Sequence, residues 1–391
     1  MIKKGLIALC FMIAALSFIT SCANKGTTSS ALLVYCKADE KDMYDALADM
    51  YKSNKPNVSV EIRTYNEGEG VNQADKADII SGLSFNEAQT LGLSKKLSDI
   101  GGLPEERTID YLLLSDKDGI QYSLPLSGNV SLIYYNQAKF SLSGVPKPET
   151  LSSFESLFTI FKEEGIKPMA FSVNSSGQYD TLYFADGFTL NAPGGFKGAV
   201  DADGQLNSGI YDIESMARMM IEDIPAREDS PKDHAALVEF FKSGSIAMIP
   251  GSSADAEKLD RTLFGYFIAP GNDNSRNVGW HSTAAVALSA SSKKTKEAKD
   301  FITFLLSNDA QKYISDKTNS LPAIRGINVK DSLESVYEEL QYTDGAAVTF
   351  FDRISQSDAQ QCKVFFDSLF SSNEEVKYED FINGLKDSKN K

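Results

Sequence analysis

Two histidines, His234 and His281, are the only imidazoles in 391 residues. Neither sits in a His-Glu-x-x-His frame, so the sequence offers no zinc-hydrolase scaffold. It has no Gly-x-Ser-x-Gly elbow to raise a serine nucleophile. Asp201-Ala-Asp203-Gly204 starts like a calcium loop but lacks a third ligand and a terminal bidentate Glu, so it reads as a turn. What remains is a set of single polar and aromatic residues with no catalytic motif around them. Trp280, the single tryptophan, lies in a polar Gly-Trp-His-Ser stretch rather than on a periodic apolar face. It reads as a platform for a ligand, with packing between halves of the protein as the competing reading.

Such groups are useful only if a fold brings them to one place. Ala31–Cys36 is a short apolar run, read as a buried strand. Met43, Ala46, Leu47, Met50 and Tyr51 then repeat at helical spacing, and Val58, Val60 and Ile62 alternate as a second strand. Ala77–Ile80 is a third, followed by a helix through Leu93. This β-α-β-(loop)-β-α order predicts a mostly parallel sheet with helices on both faces. Val130–Asn136, Met169–Val173, Ile246–Ile249, Phe264–Ile268 and Ala284–Leu288 are further strands. Leu151, Phe154, Leu157, Phe158 and Phe161 mark a strong helix, as do Ala298, Phe301, Ile302 and Leu305. From Lys330 onward the chain reads as largely helical.

In open α/β sheets, ligands bind beyond the carboxyl ends of strands. Lys37, Asp39 and Glu40 follow the first strand; Ser81, Gly82, Ser84 and Phe85 follow the third. Gln178, Tyr179 and Asp180 come after Met169–Val173, and Gly251, Ser252 and Ser253 after Ile246–Ile249. Asp39 and Glu40 serve equally well as helix-capping charges. Trp280 and His281 precede a predicted strand rather than follow one.

Lys3 and Lys4 lead an uncharged apolar stretch, Gly5–Phe18, shorter than the roughly 18 residues a bilayer span needs. Residues 1–21 therefore read as a secretory signal, ending in Ile-Thr-Ser-Cys22, which resembles the bacterial lipobox. Acylated Cys22 would anchor the chain to a lipid bilayer, and the small, polar residues 22–30 would form a tether. Subtracting Lys3 and Lys4 from 39 Lys and Arg leaves 37 against 54 acids, a net charge of −17. That balance argues against a nucleic-acid partner, which needs clustered cations. Beyond the signal and Cys22 only Cys36 and Cys362 remain; buried free thiols are favoured over a disulfide. The roughly 360 residues left exceed one comfortable core and favour two.

The order of segments resembles the solute-binding proteins of carbohydrate ABC importers, the maltose-binding-protein-like family. Tyr51 to Val60 is similar to the family's opening helix and Pro-x-ϕ-x-ϕ strand. Ala77-Asp-Ile-Ile80 is similar to its Pro-Asp-Val-Ile strand, and Tyr122-Ser-Leu-Pro-Leu126 through Tyr135-Asn136 to its hinge crossing. Lys242–Met248 with Gly251-Ser252 resembles its Gly-x-Ala-Ala-Met … Gly-Ser segment. Glu297–Leu305, Asp309-Ala-Gln311 and Ser320-Leu-Pro-Ala323 resemble its later helices and Leu-Pro-Ala turn.

The resemblance implies a two-lobed α/β fold of the periplasmic-binding-protein type, each lobe a mostly parallel sheet flanked by helices, joined by hinge strands. The N-terminal lobe would comprise 31–130 and 279–325, the C-terminal lobe 131–278 and 326–391. It implies a monomer that closes on a small solute, expected to be carbohydrate, and delivers it to ABC permease subunits, with no catalysis and no cofactor or metal. It places Asn129 where relatives carry a polar ligand contact and sets the Trp280–His281 crossing beside the cleft; Asp352, within Phe-Phe-Asp-Arg, is a further candidate read from the sequence. Many relatives carry a tryptophan just after the Gly-Ser pair; this chain has Ser253-Ala254. A smaller or more polar solute than a long α-glucan follows. The alternatives are a non-sugar solute such as a polyamine or phosphorylated polyol, a ligand-sensing lipoprotein, and a two-carboxylate glycosidase that no motif supports.

Overall fold

The computed structural model describes residues 31–66, 68–103, 120–172, 231–271 and 277–340, the single positions Asp180, Phe184 and Gly187, and the backbone of 345–348. The signal segment, Cys22 and its tether, Gln178, Tyr179, Asp352 and Cys362 lie outside the described residues.

The chain opens with β1 (Leu32–Lys37), a 3-10 turn (Ala38–Glu40) and α1 (Lys41–Asn54). Then come β2 (Val60–Tyr65), β3 (Ile79–Ser81), α2 (Phe85–Leu93) and β4 (Leu97–Ser98). Alternation along β1 sends Leu32, Val34 and Cys36 to one face and Leu33 and Tyr35 to the other. Both faces are covered, so the strand reads as a continuous apolar run. α1 buries Met43, Tyr44, Leu47 and Tyr51. α2 starts where the Ser84 hydroxyl accepts the Glu87 N–H and the Glu87 carboxylate accepts the Ser84 N–H. A cap of this kind stabilises a helix by about 1 kcal/mol.

The second half contains β5 (Leu124–Asn136), α3 (Gln137–Leu142), α4 (Leu151–Glu163), β6 (Lys167–Met169), α5 (His234–Lys242), β7 (Ile246–Ser252) and β8 (Phe264–Phe267). The chain returns through β9 (Asn277–Ser289), α6 (Thr295–Leu305), α7 (Asn308–Thr318), β10 (Leu321–Pro322), α8 (Asp331–Leu340) and β11 (Gly345–Val348). α4 buries Phe154, Leu157, Phe158 and Phe161, and α6 buries Ala298, Phe301, Ile302 and Leu305, as their spacing predicts.

The described strands run in the order β2-β1-β3-β9-β5-β7-β6. β1 pairs in parallel with β2 and β3, and β6 with β7. The long strands β5 and β9 pair antiparallel with each other and with their inner neighbours. The sheet is therefore mixed: the mostly parallel expectation holds for the pairs of β1 with β2 and β3, for β6 on β7 and for β11 on β9, but not for β5 or its crossing with β9. The reason is connectivity: β5 and β9 are each 13 residues long and run from one half of the molecule into the other in opposite directions.

Each half has its own core. Leu124, Leu126, Val286 and Leu288 pack with α1, α6 and α7, whereas Val130, Leu132, Val278 and Trp280 pack with α5 and α8. β5 and β9 thus contribute to both cores and link them. Among the described residues, no helix is long and apolar enough to cross a membrane.

Candidate functional site

Where β5 and β9 cross, Asn129 stands opposite His281 and Val130 opposite Trp280. Period-two alternation separates these pairs onto opposite faces. Val130 and Trp280 enter the apolar core beside α8. Asn129 and Ser131 share the other face, and the Ser131 hydroxyl lies 2.9 Å from His281 Nε2. Burial pushes the His281 imidazole down to about 3 and keeps it neutral. The 3-10 turn that follows β7, Ser253–Asp255, completes the polar stripe. Ser253 Oγ accepts the Val130 N–H at 3.2 Å and donates to Asn129 Oδ1 at 3.0 Å.

A second polar cluster forms at the carboxyl ends of β1 and β3. The Tyr44 hydroxyl donates to Ser81 Oγ at 2.7 Å, and Ser81 donates to Glu40 Oε2 at 2.9 Å. The same carboxylate oxygen accepts the Lys37 N–H at 3.2 Å. Burial raises the Glu40 pKa, and the bonds from Ser81 and Lys37 oppose that rise. Tyr65 donates to the Ser81 carbonyl. Gly82 turns the chain at φ +78°, and a Cβ there would stand 2.9 Å from Lys37 Cγ and 3.0 Å from the Tyr65 hydroxyl. Only glycine lets the loop before Phe85 pass so close.

Beneath the β7 end lies a buried charged group. His234 Nδ1 bonds Asp180 Oδ1, and Nε2 bonds Asp255 Oδ1 at 2.9 Å. Burial alone would lower the His234 pKa, but its bonds to Asp180 and Asp255 and their charges outweigh this and hold it at about 10. Burial likewise opposes ionisation of Asp255, and His234 and Lys258 overcome it, leaving Asp255 at about 2.

Residues 37–312 match the family described as bacterial extracellular solute-binding protein. The chain belongs to that family. It is 28% identical over 237 residues to a multiple sugar-binding protein of Streptococcus mutans, a match that covers 57% of this chain and 56% of that protein. The chain thus spans just over half the length of that curated relative. Among solved structures it is similar to RafE from Streptococcus pneumoniae in its apo form (TM-score 0.71, 18% identity, 92% of this chain and 97% of that one). It is also similar to the bacterial solute receptor AcbH, described by its preference for β-D-galactopyranose (TM-score 0.75, 13% identity, 93% and 98% covered). These likenesses establish the two-lobed periplasmic-binding-protein fold.

Several candidates of this solute-binding protein sit elsewhere than the sequence suggests. Trp280 lies inside β9 and is fully buried, not on a platform before a strand. The indole lies over Gly128 of the neighbouring β5, which has no side chain to displace it, so the core takes it in. Asp180 is also fully buried, with one carboxylate oxygen on His234 and the other on the N–H and hydroxyl of Ser172. Ser81 is buried between Tyr44 and Glu40. Gly251 and Ser252 are the buried last residues of β7, not a loop after it. All five of these positions are buried. Asp39 is exposed, while Lys37, Glu40, Gly82, Phe85 and His281 are partly exposed, and Asn129 is 8% exposed.

Sequence reasoning missed Ser131, His234 and Asp255. Ser131 had a signal, since it alternates with Asn129 on one strand. His234 and Asp255 had none, because the bonds that define them join residues 54 and 21 positions apart.

Proposed function

We propose that this chain is an exported lipoprotein that captures a small sugar between its two lobes and passes it to the permease of an ABC importer. The observation that carries the reading is the hydrogen-bonding stripe Asn129–Ser131–His281, held on the only long strands among the described residues that enter both cores. A sugar hydroxyl is both donor and acceptor, and such a stripe offers amide, hydroxyl and neutral imidazole partners for it. Glu40, carried at the β1 end, adds a carboxylate acceptor from the first half. The names of the relatives, a multiple sugar-binding protein and a galactopyranose receptor, support carbohydrate as the class.

The lobe boundaries proposed are 31–130 with 279–325, and 131–278 with 326–391; at the crossing Val130, Trp280, Leu321 and Ala323 pack with the second core and Ile327 with the first. Closure follows if the ligand bonds groups of both lobes at once and so favours the closed state. Acylated Cys22 is the proposed anchor and the chain acts as a monomer. The place after Ser252 that would carry a stacking tryptophan in a long-glucan binder holds Ser253, engaged with Asn129, which favours a mono- or short oligosaccharide. A thermal-shift screen over sugars tests the reading, because a ligand of the native state raises its stability. A rise with at least one sugar and none with polyamines is expected; a rise with polyamines alone overturns it.

A further inference from the structure

The buried Asp180–His234–Asp255 group has no evident need to exist for stability alone. Two carboxylates and an imidazole are withdrawn from water here, and well-packed apolar residues of similar volume are generally as stabilising as a buried ion pair. Its geometry suggests a different use. Each ring nitrogen of His234 faces a carboxylate oxygen, so both carry protons and the ring is cationic. Asp255 shares its Oδ1 between His234 and Lys258 Nζ, 2.8 Å away. Its other oxygen accepts the Ser252 N–H at 3.0 Å. The Ser252 carbonyl in turn accepts the Tyr134 hydroxyl at 2.8 Å. The Ser252–Ser253 turn is therefore gripped at its amide by Asp255 and at its carbonyl by Tyr134.

What that turn holds is Asn129. Ser253 Oγ already accepts from the Val130 N–H, so its own proton goes to Asn129 Oδ1. The amide of Asn129 is thereby oriented with its oxygen inward and its Nδ2 left to donate. We propose that His234 is a positioning residue for the solute site: bridging Asp180 and Asp255, it fixes the Ser252–Ser253 turn so that Asn129 presents an N–H donor to an acceptor oxygen of the ligand. This rests on the reading of the Asn129–Ser131–His281 stripe as the sugar site. The amide donor selects a hydroxyl or ring oxygen at that point of the sugar and disfavours a ligand that places an N–H there.

The test combines a ligand-free and a ligand-dependent readout. In His234→Gln and in the milder, isosteric Asp180→Asn, the Val130 amide should exchange with solvent about tenfold faster than in the parent, as expected when its acceptor is loosened by ~1.4 kcal/mol. Affinity for the best sugar of the screen should fall by about as much. In a Ser253→Ala background, His234→Gln should change affinity no further, because both act through the same bond, while losses of Tm still add. A lowered Tm with unchanged Val130 exchange and unchanged affinity overturns the proposal, as does an undiminished effect of His234→Gln in the Ser253→Ala background. If the parent binds no sugar, the sugar reading fails, and Val130 exchange alone decides whether His234 holds the turn.

Discussion

The indole of Trp280 lies so close against Gly128 that a Cβ on that glycine would stand 2.4 Å from Cε2 and 2.5 Å from Nε1. The tryptophan is fully buried, and among the described residues its Nε1 has no hydrogen-bond partner. An unpaired buried donor costs about 1–3 kcal/mol, which the large apolar area of the ring offsets.

Gly128→Ala should therefore be poorly tolerated, losing about 1–3 kcal/mol as an overpacked site does. Trp280→Ala should lose about 3–5 kcal/mol through the cavity it opens. Denaturant unfolding measures both. The single indole should also emit in the blue and resist aqueous quenchers. Red-shifted, readily quenched emission would contradict the buried placement.

The two histidines should shape the pH profile of stability in opposite ways. His234, held at about 10 against an ordinary 6.5, contributes stability that is full below pH 6.5 and is lost as pH rises toward 10. His281, pushed down to about 3, contributes stability that is full above pH 6.5 and is lost as pH falls toward 3. Burial pushes the Cys36 thiol from 9.0 up to about 12, so it adds to the alkaline loss only above pH 9. Melting temperatures should therefore peak near pH 6.5. His234→Gln should flatten the limb between 6.5 and 9, and His281→Gln the limb between 6.5 and 4. Limbs that are unchanged in these variants would contradict the assigned environments.

In the first half of the site, Ser81 links Tyr44 to Glu40. Ser81→Ala strips the carboxylate of a donor and leaves the Tyr44 hydroxyl unpaired in the core, at about 1–3 kcal/mol of stability. Tyr44→Phe should be milder, because it removes the hydroxyl that would be stranded. If Glu40 meets the ligand, Ser81→Ala also weakens binding, and Glu40→Gln does so without the loss of Tm. Calorimetry of the variants beside their melting curves separates these effects.

Much of this was legible in the sequence where periodicity reports burial. Ala298, Phe301, Ile302 and Leu305 form one helical stripe, and all are buried. α1 shows the limit of that reading: Tyr44, at the edge of the anticipated stripe, is fully buried, and the partner its hydroxyl finds there, Ser81, lies 37 residues away. Trp280 misled for a related reason. Its neighbours in sequence are polar because alternation sends them to the opposite face, and the glycine that accommodates it lies on another strand. β11, whose Gly345–Val348 pairs in parallel with Asn277–Trp280, falls where a helix was expected, since a run of small residues carries little periodic signal. Asn129 came from the resemblance, and the structure supplies the partners that orient it.

Cys22→Ser tests the anchor. The variant should pass from the membrane to the soluble fraction, because a single acyl chain already binds only with K on the order of 10⁴ M⁻¹ and loss of all chains leaves nothing comparable. A variant that sediments with membranes as the parent does would contradict anchoring through Cys22.

Calorimetric titration of the parent and of Asn129→Ala with the sugar that most raises the melting temperature tests the central claim directly. A saturable heat is predicted for the parent, with affinity reduced about tenfold or more in the variant, the loss of a bond worth at least ~1.4 kcal/mol, at little cost in Tm. Equal affinity in the two proteins, or no heat with any sugar, would contradict the account.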